Sequence, residues 1–354
     1  MPDQPINLAD FEEAARELLD PGAYGYFAGG AGDEWTLREN VEAFRRWRLR
    51  PRVLVDVGET TTETEVLGAP VALPVLVAPT AFQRLAHAEG EPAAARGAAA
   101  AGTVYCLSSL SSVTPRELAT AADGRKWFQL YWSRDRGFTR ELLAAVAESE
   151  FEAVVFTADF PAAGRRERDL RAQFRLPADL PVPNIAGALK RQDFHTELGQ
   201  IVDPTLTWRD LEWYRDTCSL PLLVKGVLTA EDALLAAEHG AAGVIVSNHG
   251  GRQLDGVPAS LEALPEVVEA VGERLEVLLD GGVRRGVDVL VALALGARSV
   301  LVGRPVVWGL TVGGEEGVAR VLELLRREIE IGLKLLGCPS PAEVTATHLN
   351  RHPL

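Results

Sequence analysis

Residues 222–248 read LLVKGVLTAEDALLAAEHGAAGVIVSN, and this stretch decides the fold. An apolar run, LLVKG (222–226), passes into a helix-favouring segment with Thr229 as candidate N-cap and Gly240 as its stop. A second apolar run, GVIVSN (243–248), follows at once. Continuous apolar runs separated by a helix mark strands buried on both faces, the βαβ unit of a parallel sheet.

The same alternation extends in both directions. PVLVAP (74–79), TVYCL (103–107), KWFQLY (126–131) and AVVFTAD (153–159) precede the unit, and EVLLDGG (276–282) and SVLVGR (299–304) follow it. VDVLVALALGA (287–297) repeats the device of a helix stopped by glycine before the last run. Eight runs with intervening helices predict an α/β fold of TIM (β/α)8 barrel type, with a doubly wound open sheet as runner-up. Residues 1–70 read as an N-terminal helical cap, with Leu8, Phe11, Ala15, Leu18 and Leu19 on one side of an amphipathic helix. About 60 residues between Asp159 and Leu222, with Pro177, Pro181, Pro183 and Pro204, break the rhythm; long inserts of this kind are commonly lids. The expectation is one domain over 1–354, with the barrel at 71–354 and the lid at about 170–210.

Bulk composition narrows the function. The chain is 47% hydrophobic and 24% charged, enough to bury a large core. Lys and Arg number 36 against 50 Asp and Glu, a net charge of −14, which disfavours nucleic acid and anionic lipid as partners. An anionic substrate then requires a local cationic site, so internal arginines matter. Cys106, Cys218 and Cys338 have no C-x-x-C spacing, which argues against a disulfide framework or structural zinc; no metal is expected. The start, MPDQPINLADFEEAARELL, has no basic patch followed by an apolar core, and no run approaches about 18 apolar residues, so the reading is cytoplasmic with no membrane partner.

TIM-barrel active sites lie at the C-terminal ends of the strands, and here those ends are rich in polar groups. They supply Thr80, Ser108, Gln129, Tyr131, Thr157, Asp159, Lys225, Ser247, His249, Asp280, Gly303 and Arg304. The Asp280-Gly281-Gly282-Val283-Arg284 and Gly303-Arg304 turns follow strands seven and eight, the usual phosphate position. Ser247-Asn248-His249-Gly250-Gly251-Arg252 places an imidazole near a guanidinium, and Arg166 adds a second cation, a set suited to proton transfer on an anion.

Several segments together resemble the family of FMN-dependent 2-hydroxy acid oxidases and dehydrogenases. They are YGYFAGGAGDEWTLREN (24–40), APTAFQRLAHAEGE (78–91), LSSLSS (107–112), WFQLY (127–131), TADFPAAGRRERD (157–169), LVKGVLTAEDA (223–233), VSNHGGRQLDG (246–256), LDGGVRRG (279–286) and VGRPVVWG (302–309). The resemblance covers essentially the whole chain and implies oxidation of a small (S)-2-hydroxy acid to the 2-keto acid. FMN is the implied acceptor, and O2, giving H2O2, the implied reoxidant. A dehydrogenase or a monooxygenase shares the same first half-reaction.

Carried over residue by residue, the resemblance implies that Pro79, Thr80 and Ala81 line the flavin, with Ser108, Gln129 and Thr157 on its polar edge. Lys225 stabilises the reduced form. Ser247 contacts the flavin or ribityl chain, and Asp280, Gly281, Gly282, Arg284, Gly303 and Arg304 hold ribityl and phosphate. Arg166 and Arg252 grip the substrate carboxylate with help from Tyr26, Tyr131 meets the substrate hydroxyl, and His249 is the base, supported by Asp159. Two positions depart from many relatives. Phe82 replaces a methionine, and Leu110 replaces the tryptophan of glycolate oxidases, so Leu110, beside Ala81 at the substrate's variable group, admits a larger group than hydrogen. Membrane-bound relatives carry a hydrophobic segment in the insert, which this chain lacks. A homotetramer or octamer is also implied. The rival readings are a Schiff-base lyase using Lys225 and a phosphate-ligand-binding barrel without chemistry.

Overall fold

The computed structural model describes residues 5–187 and 194–351. Eight parallel strands close into a barrel: β1 Val75–Val77, β2 Tyr105–Ser108, β3 Lys126–Leu130, β4 Ala153–Thr157, β5 Leu222–Val227, β6 Gly243–Val246, β7 Glu276–Asp280 and β8 Ser299–Val302. Each pairs with its neighbours in chain order, and β8 closes on β1 through Val300–Val75 to Val302–Val77. The expected barrel is therefore the observed one.

Strand periodicity sorts the core into two shells. Leu76, Cys106, Trp127, Val155, Leu223, Ile245, Leu278 and Leu301 fill the interior. Their neighbours Val77, Leu107, Phe128, Val154, Val224, Val244, Leu279 and Val302 face the helices. The helix after β5, Ala230–Glu238, starts where expected: Thr229 accepts from Asp232 N, and Gly240 follows with φ +77°.

The segment before the barrel covers both ends of it. Helices α1 Leu8–Leu18, α2 Pro21–Ala28 and α3 Trp35–Arg45 form the cap, with Asn7 and Asp20 as N-caps of the first two. Leu8, Phe11, Ala15 and Leu19 are buried, but Leu18 is 63% exposed, a correction to the expected stripe. Residues 8, 11, 15 and 18 all fall within about 80° on one face at 3.6 residues per turn, so the period alone does not expose Leu18; it is the last residue of the helix, and Leu19, where the chain is already extended, takes the buried place. The other end is closed by a hairpin, Thr64–Val66 with Ala69–Val71, whose Val66 and Val71 join the interior shell. Leu67 N donates to both carboxylate oxygens of Glu276 at 2.9 Å, pinning the plug to the start of β7.

Among the described residues the insert after β4 carries three helices, Glu167–Arg171, Phe194–Ile201 and Asp210–Thr217. Of the expected lid at 170–210, residues 188–193 lie outside the described residues. Ser133 bridges Val202, so the return of the insert is tied to the loop after β3. Among the described residues no helix is long and apolar enough to cross a membrane.

Candidate active site

Two residues beyond the interior shell, the same inward alternation sets the floor of the barrel mouth: Ala78, Ser108, Gln129, Thr157, Lys225, Ser247, Asp280 and Gly303. One cavity there is lined by Pro79, Thr80, Ala81, Ser108, Leu110, Gln129, Tyr131, Thr157, Lys225, Asp280, Gly281, Gly282, Arg284, Gly303 and Arg304. Tyr26, Arg166, His249 and Arg252 complete it. Every residue given a catalytic, substrate or cofactor role from the sequence lines this cavity except Ser247 and Asp159, which stand one layer behind.

Lys225 is central to the floor. Its Nζ donates to Ser247 Oγ at 2.8 Å and pairs with Asp280 Oδ2 at 3.1 Å. Burial alone drives the amine down, but Asp280 and Asp159 outweigh it and hold Lys225 above its ordinary value. It is a fixed ammonium, and an ammonium is no Schiff-base nucleophile, which disfavours the lyase reading. Ser247, fully buried, accepts from Lys225 and from His249 N; it orients both rather than lining the cavity.

The floor also carries unmet polar atoms. Ser108 Oγ and Ser109 N donate to Gln129 Oε1 at 3.0 and 3.2 Å, which turns the amide so that buried Nε2 has no partner. Asp280 Oδ1 is likewise buried and unpartnered. Leaving a buried donor or acceptor unpaired costs about 1–3 kcal/mol, so these atoms fit the polar edge and ribityl hydroxyls of a flavin.

Beside β7 and β8 the cavity is built for an anion. Gly281 and Gly282 have φ +95° and +86°, and a Cβ at Gly282 would lie 1.9 Å from Asn40 O, so only glycine fits. Arg284 and Arg304 are half-buried, desolvation holds both below the ordinary guanidinium value, and neither pairs with a carboxylate among the described residues. Arg304 donates to the carbonyls of Phe27, Gly250 and Gly29 at 3.0, 3.1 and 2.8 Å. Carbonyls orient it without cancelling its charge. With Gly303 capping the helix that begins at Arg304, the corner suits a phosphate.

On the other side, His249 Nδ1 lies 3.0 Å from Asp159 Oδ1 and Nε2 lies 3.4 Å from Tyr131 OH. Burial, aided by Lys225 and Arg166, lowers the imidazole below its ordinary value against the pull of Asp159. Burial pushes the Asp159 carboxyl up, but His249 and Lys225 bring it below the usual range. The resting pair is thus neutral imidazole beside carboxylate, with the proton on Nδ1 because a carboxylate only accepts. Burial likewise raises Tyr131, which stays a phenol.

Arg166 and Arg252 converge on the same space. Burial, and then Arg252, bring Arg166 down to about 10, and its buried Nε has no partner. Arg252 donates to Tyr26 O at 2.7 Å and lies 4.9 Å from the centre of the Tyr26 ring. Two like charges held together with no carboxylate paired to either among the described residues call for a carboxylate ligand.

Sequence reasoning missed five contributing residues. Phe160 packs 4.8 Å from the Tyr131 ring and lines the cavity. Leu198 reaches it from the insert. Gly226, φ +105°, has no room for a Cβ, which would sit 2.6 Å from that of Asp159. Asn40 and Asn248 exchange two 2.8 Å bonds that brace the turn before His249. Of these, only Gly226, a glycine inside an apolar strand, left a trace in the sequence.

A family model for FMN-dependent dehydrogenases matches residues 15–351. The chain is 47% identical to the L-lactate oxidase of a Nostoc species, over 98% of both chains. It is 48% identical to glycolate oxidase 3 of Oryza sativa subsp. indica, over 97% of this chain and 95% of that one. Among solved structures, mandelate oxidase with (S)-4-hydroxymandelic acid superposes with a TM-score of 0.93 at 44% identity, over 98% of both chains. A barrel whose mouth offers a flavin floor, a phosphate corner and a histidine-carboxylate pair defines a flavin enzyme. This chain belongs to the FMN-dependent dehydrogenase family, and FMN is its cofactor.

Proposed function

We propose that the protein oxidises (S)-2-hydroxy acids with an apolar side group to 2-keto acids, with O2 as the final acceptor and H2O2 as the second product. The single observation that carries this reading is the convergence, in one cavity, of an imidazole held by Asp159 through its other ring nitrogen and two arginines with no carboxylate partner among the described residues. FMN, held by Gln129, Lys225, Asp280, Arg284 and Arg304, supplies the two-electron acceptor. Arg166 and Arg252 bind the substrate carboxylate. Tyr131 orients the hydroxyl, and His249 takes a substrate proton at Nε2. Asp159 stabilises the imidazolium that results, while the fixed charge of Lys225 favours the anionic reduced cofactor.

Leu110, Phe160, Leu198 and Ala81 give the cavity an apolar side, which supports lactate- or mandelate-like substrates over glycolate. Three buried free cysteines fit a reducing cytoplasm, and a tetramer or octamer is the assembly we expect. The test is the visible spectrum during anaerobic addition of (S)- and (R)-2-hydroxy acids, then air. Bleaching by one (S)-acid and recovery in air is the expected result. Bleaching without recovery would assign a dehydrogenase, and no bleaching by any acid would overturn the reading.

A further inference from the structure

We propose that Gln253 is a positioning residue for this reaction: its side-chain amide bolts the loop carrying Asp159 and Arg166 to the loop carrying His249 and Arg252. The proposal rests on the roles given above to those four residues.

Both ends of the amide are used. Nε2 donates to Asp159 O at 2.5 Å and to Ala162 O at 2.9 Å, and Oε1 accepts from Gly164 N at 3.1 Å. The two backbones touch at this point. A Cβ on Gly164 would lie 2.3 Å from Arg252 O and 2.7 Å from Gln253 O, so glycine permits the approach that the amide then locks.

Such a lock matters because neither loop is held by regular structure. His249, Gly250 and Gly251 run at φ +60°, +62° and +74°, and a left-handed non-glycine residue costs about 1–2 kcal/mol. Residues 158–166 form neither helix nor strand. Two backbone bonds, Gly32 N to Arg165 O at 2.9 Å and Ala31 N to Gly251 O at 2.8 Å, tie each loop to the cap, so the loops are joined to one another indirectly there and directly by the Gln253 amide. The 3.0 Å contact between His249 and Asp159 therefore spans two irregular segments. Gln253 joins them on the flank away from the substrate, since it lines a separate groove with Asp159 and Gly164 and not the active-site cavity.

The test measures anaerobic flavin reduction against pH in Gln253→Ala and in the similarly sized Gln253→Met, alone and combined with Asp159→Asn, with His249→Ala in the same series. The charged or titratable groups facing His249 are Asp159, Lys225, Tyr131 and Arg166. FMN content is expected to hold, because Gln253 does not line the cofactor cavity. Reduction is expected to slow about 10- to 100-fold, as small misplacements of reacting groups do. Its acid limb moves to lower pH, because a loosened Asp159 supports the imidazolium less. In the Asp159→Asn background the further loss shrinks to less than about twofold, since coupled residues do not add.

Reduction within about twofold of the parent in both variants, or an undiminished loss in the Asp159→Asn background, contradicts the proposal. So does failure of both variants to fold with FMN, which would make Gln253 a residue of the scaffold. If His249→Ala reduces at the parent rate, the underlying functional reading falls and takes the proposal with it. If His249→Ala is inactive while the Gln253 variants are normal, the proposal alone fails.

Discussion

The guanidinium groups of Arg304 and Arg252 converge on one acceptor, the carbonyl of Gly29, at 2.8 and 2.9 Å. The end of α2 thus serves as a shared neutral anchor for the cation beside the phosphate corner and the cation beside the substrate. Carbonyls at a helix C-terminus carry partial negative charge, so they hold two half-buried arginines without neutralising either.

Arg284 and Arg304 should consequently differ when removed. Among the described residues the Arg284 side chain donates only to Val283 O, at 2.9 Å, so Arg284→Leu is expected to weaken FMN binding and leave the apoprotein's Tm unchanged. Loss of one charged hydrogen bond, about 1.5–3 kcal/mol, corresponds to an increase in Kd of about 10- to 100-fold. Arg304→Leu is expected to weaken FMN comparably and also lower the apoprotein's Tm, because the carbonyls of Phe27 and Gly250 lose the guanidinium and that of Gly29 keeps only Arg252. Flavin fluorescence titration and thermal melts of the apoproteins check both.

The pH dependence of reduction follows from the His249 pair. The base works unprotonated, and its value lies below the ordinary 6.5, so the rate should hold its plateau through pH 7 and fall only on the acid side of 6.5. Asp159→Asn removes the anion that raises His249, which shifts the limb further to acid. The plateau itself should drop by about 100-fold or more, since the imidazolium loses its support. Stopped-flow reduction from pH 5 to 9 measures both effects. An acid limb above pH 7 in the parent would contradict the assignment.

Substrate choice should respond to Leu110, which is 4% exposed against the cavity. Leu110→Trp is expected to raise KM for mandelate by about tenfold or more while glycolate is spared, because overpacking a dry wall typically costs about 1–3 kcal/mol. A specificity panel of glycolate, lactate and mandelate reads the outcome.

Most of the fold and the site was legible because both obey the strand period. Eight apolar runs gave the barrel, and Ser108, Gln129, Thr157, Lys225 and Asp280 sit two residues beyond interior side chains on the same strands. What escaped depends on tertiary contact. The plug hairpin at 64–71 has strands of three residues, too short for a pattern. Leu198 comes from an insert without apolar periodicity, and Leu18, on the apolar face by period, is exposed because the helix ends there. Ser247 and Asp159 share the rim's sequence signature, yet only three-dimensional packing shows that they stand behind it. Gln253 acts through carbonyls, which no residue pattern announces.

The most direct test of the account is single-turnover anaerobic reduction of His249→Ala with its FMN bound, compared with the parent on the same (S)-2-hydroxy acid. Loss of the base is predicted to slow reduction by at least about 100-fold while the visible spectrum of the bound flavin and its stoichiometry stay intact. Reduction at the parent rate by the FMN-loaded variant would contradict the assignment of His249 as the base, and with it the central claim.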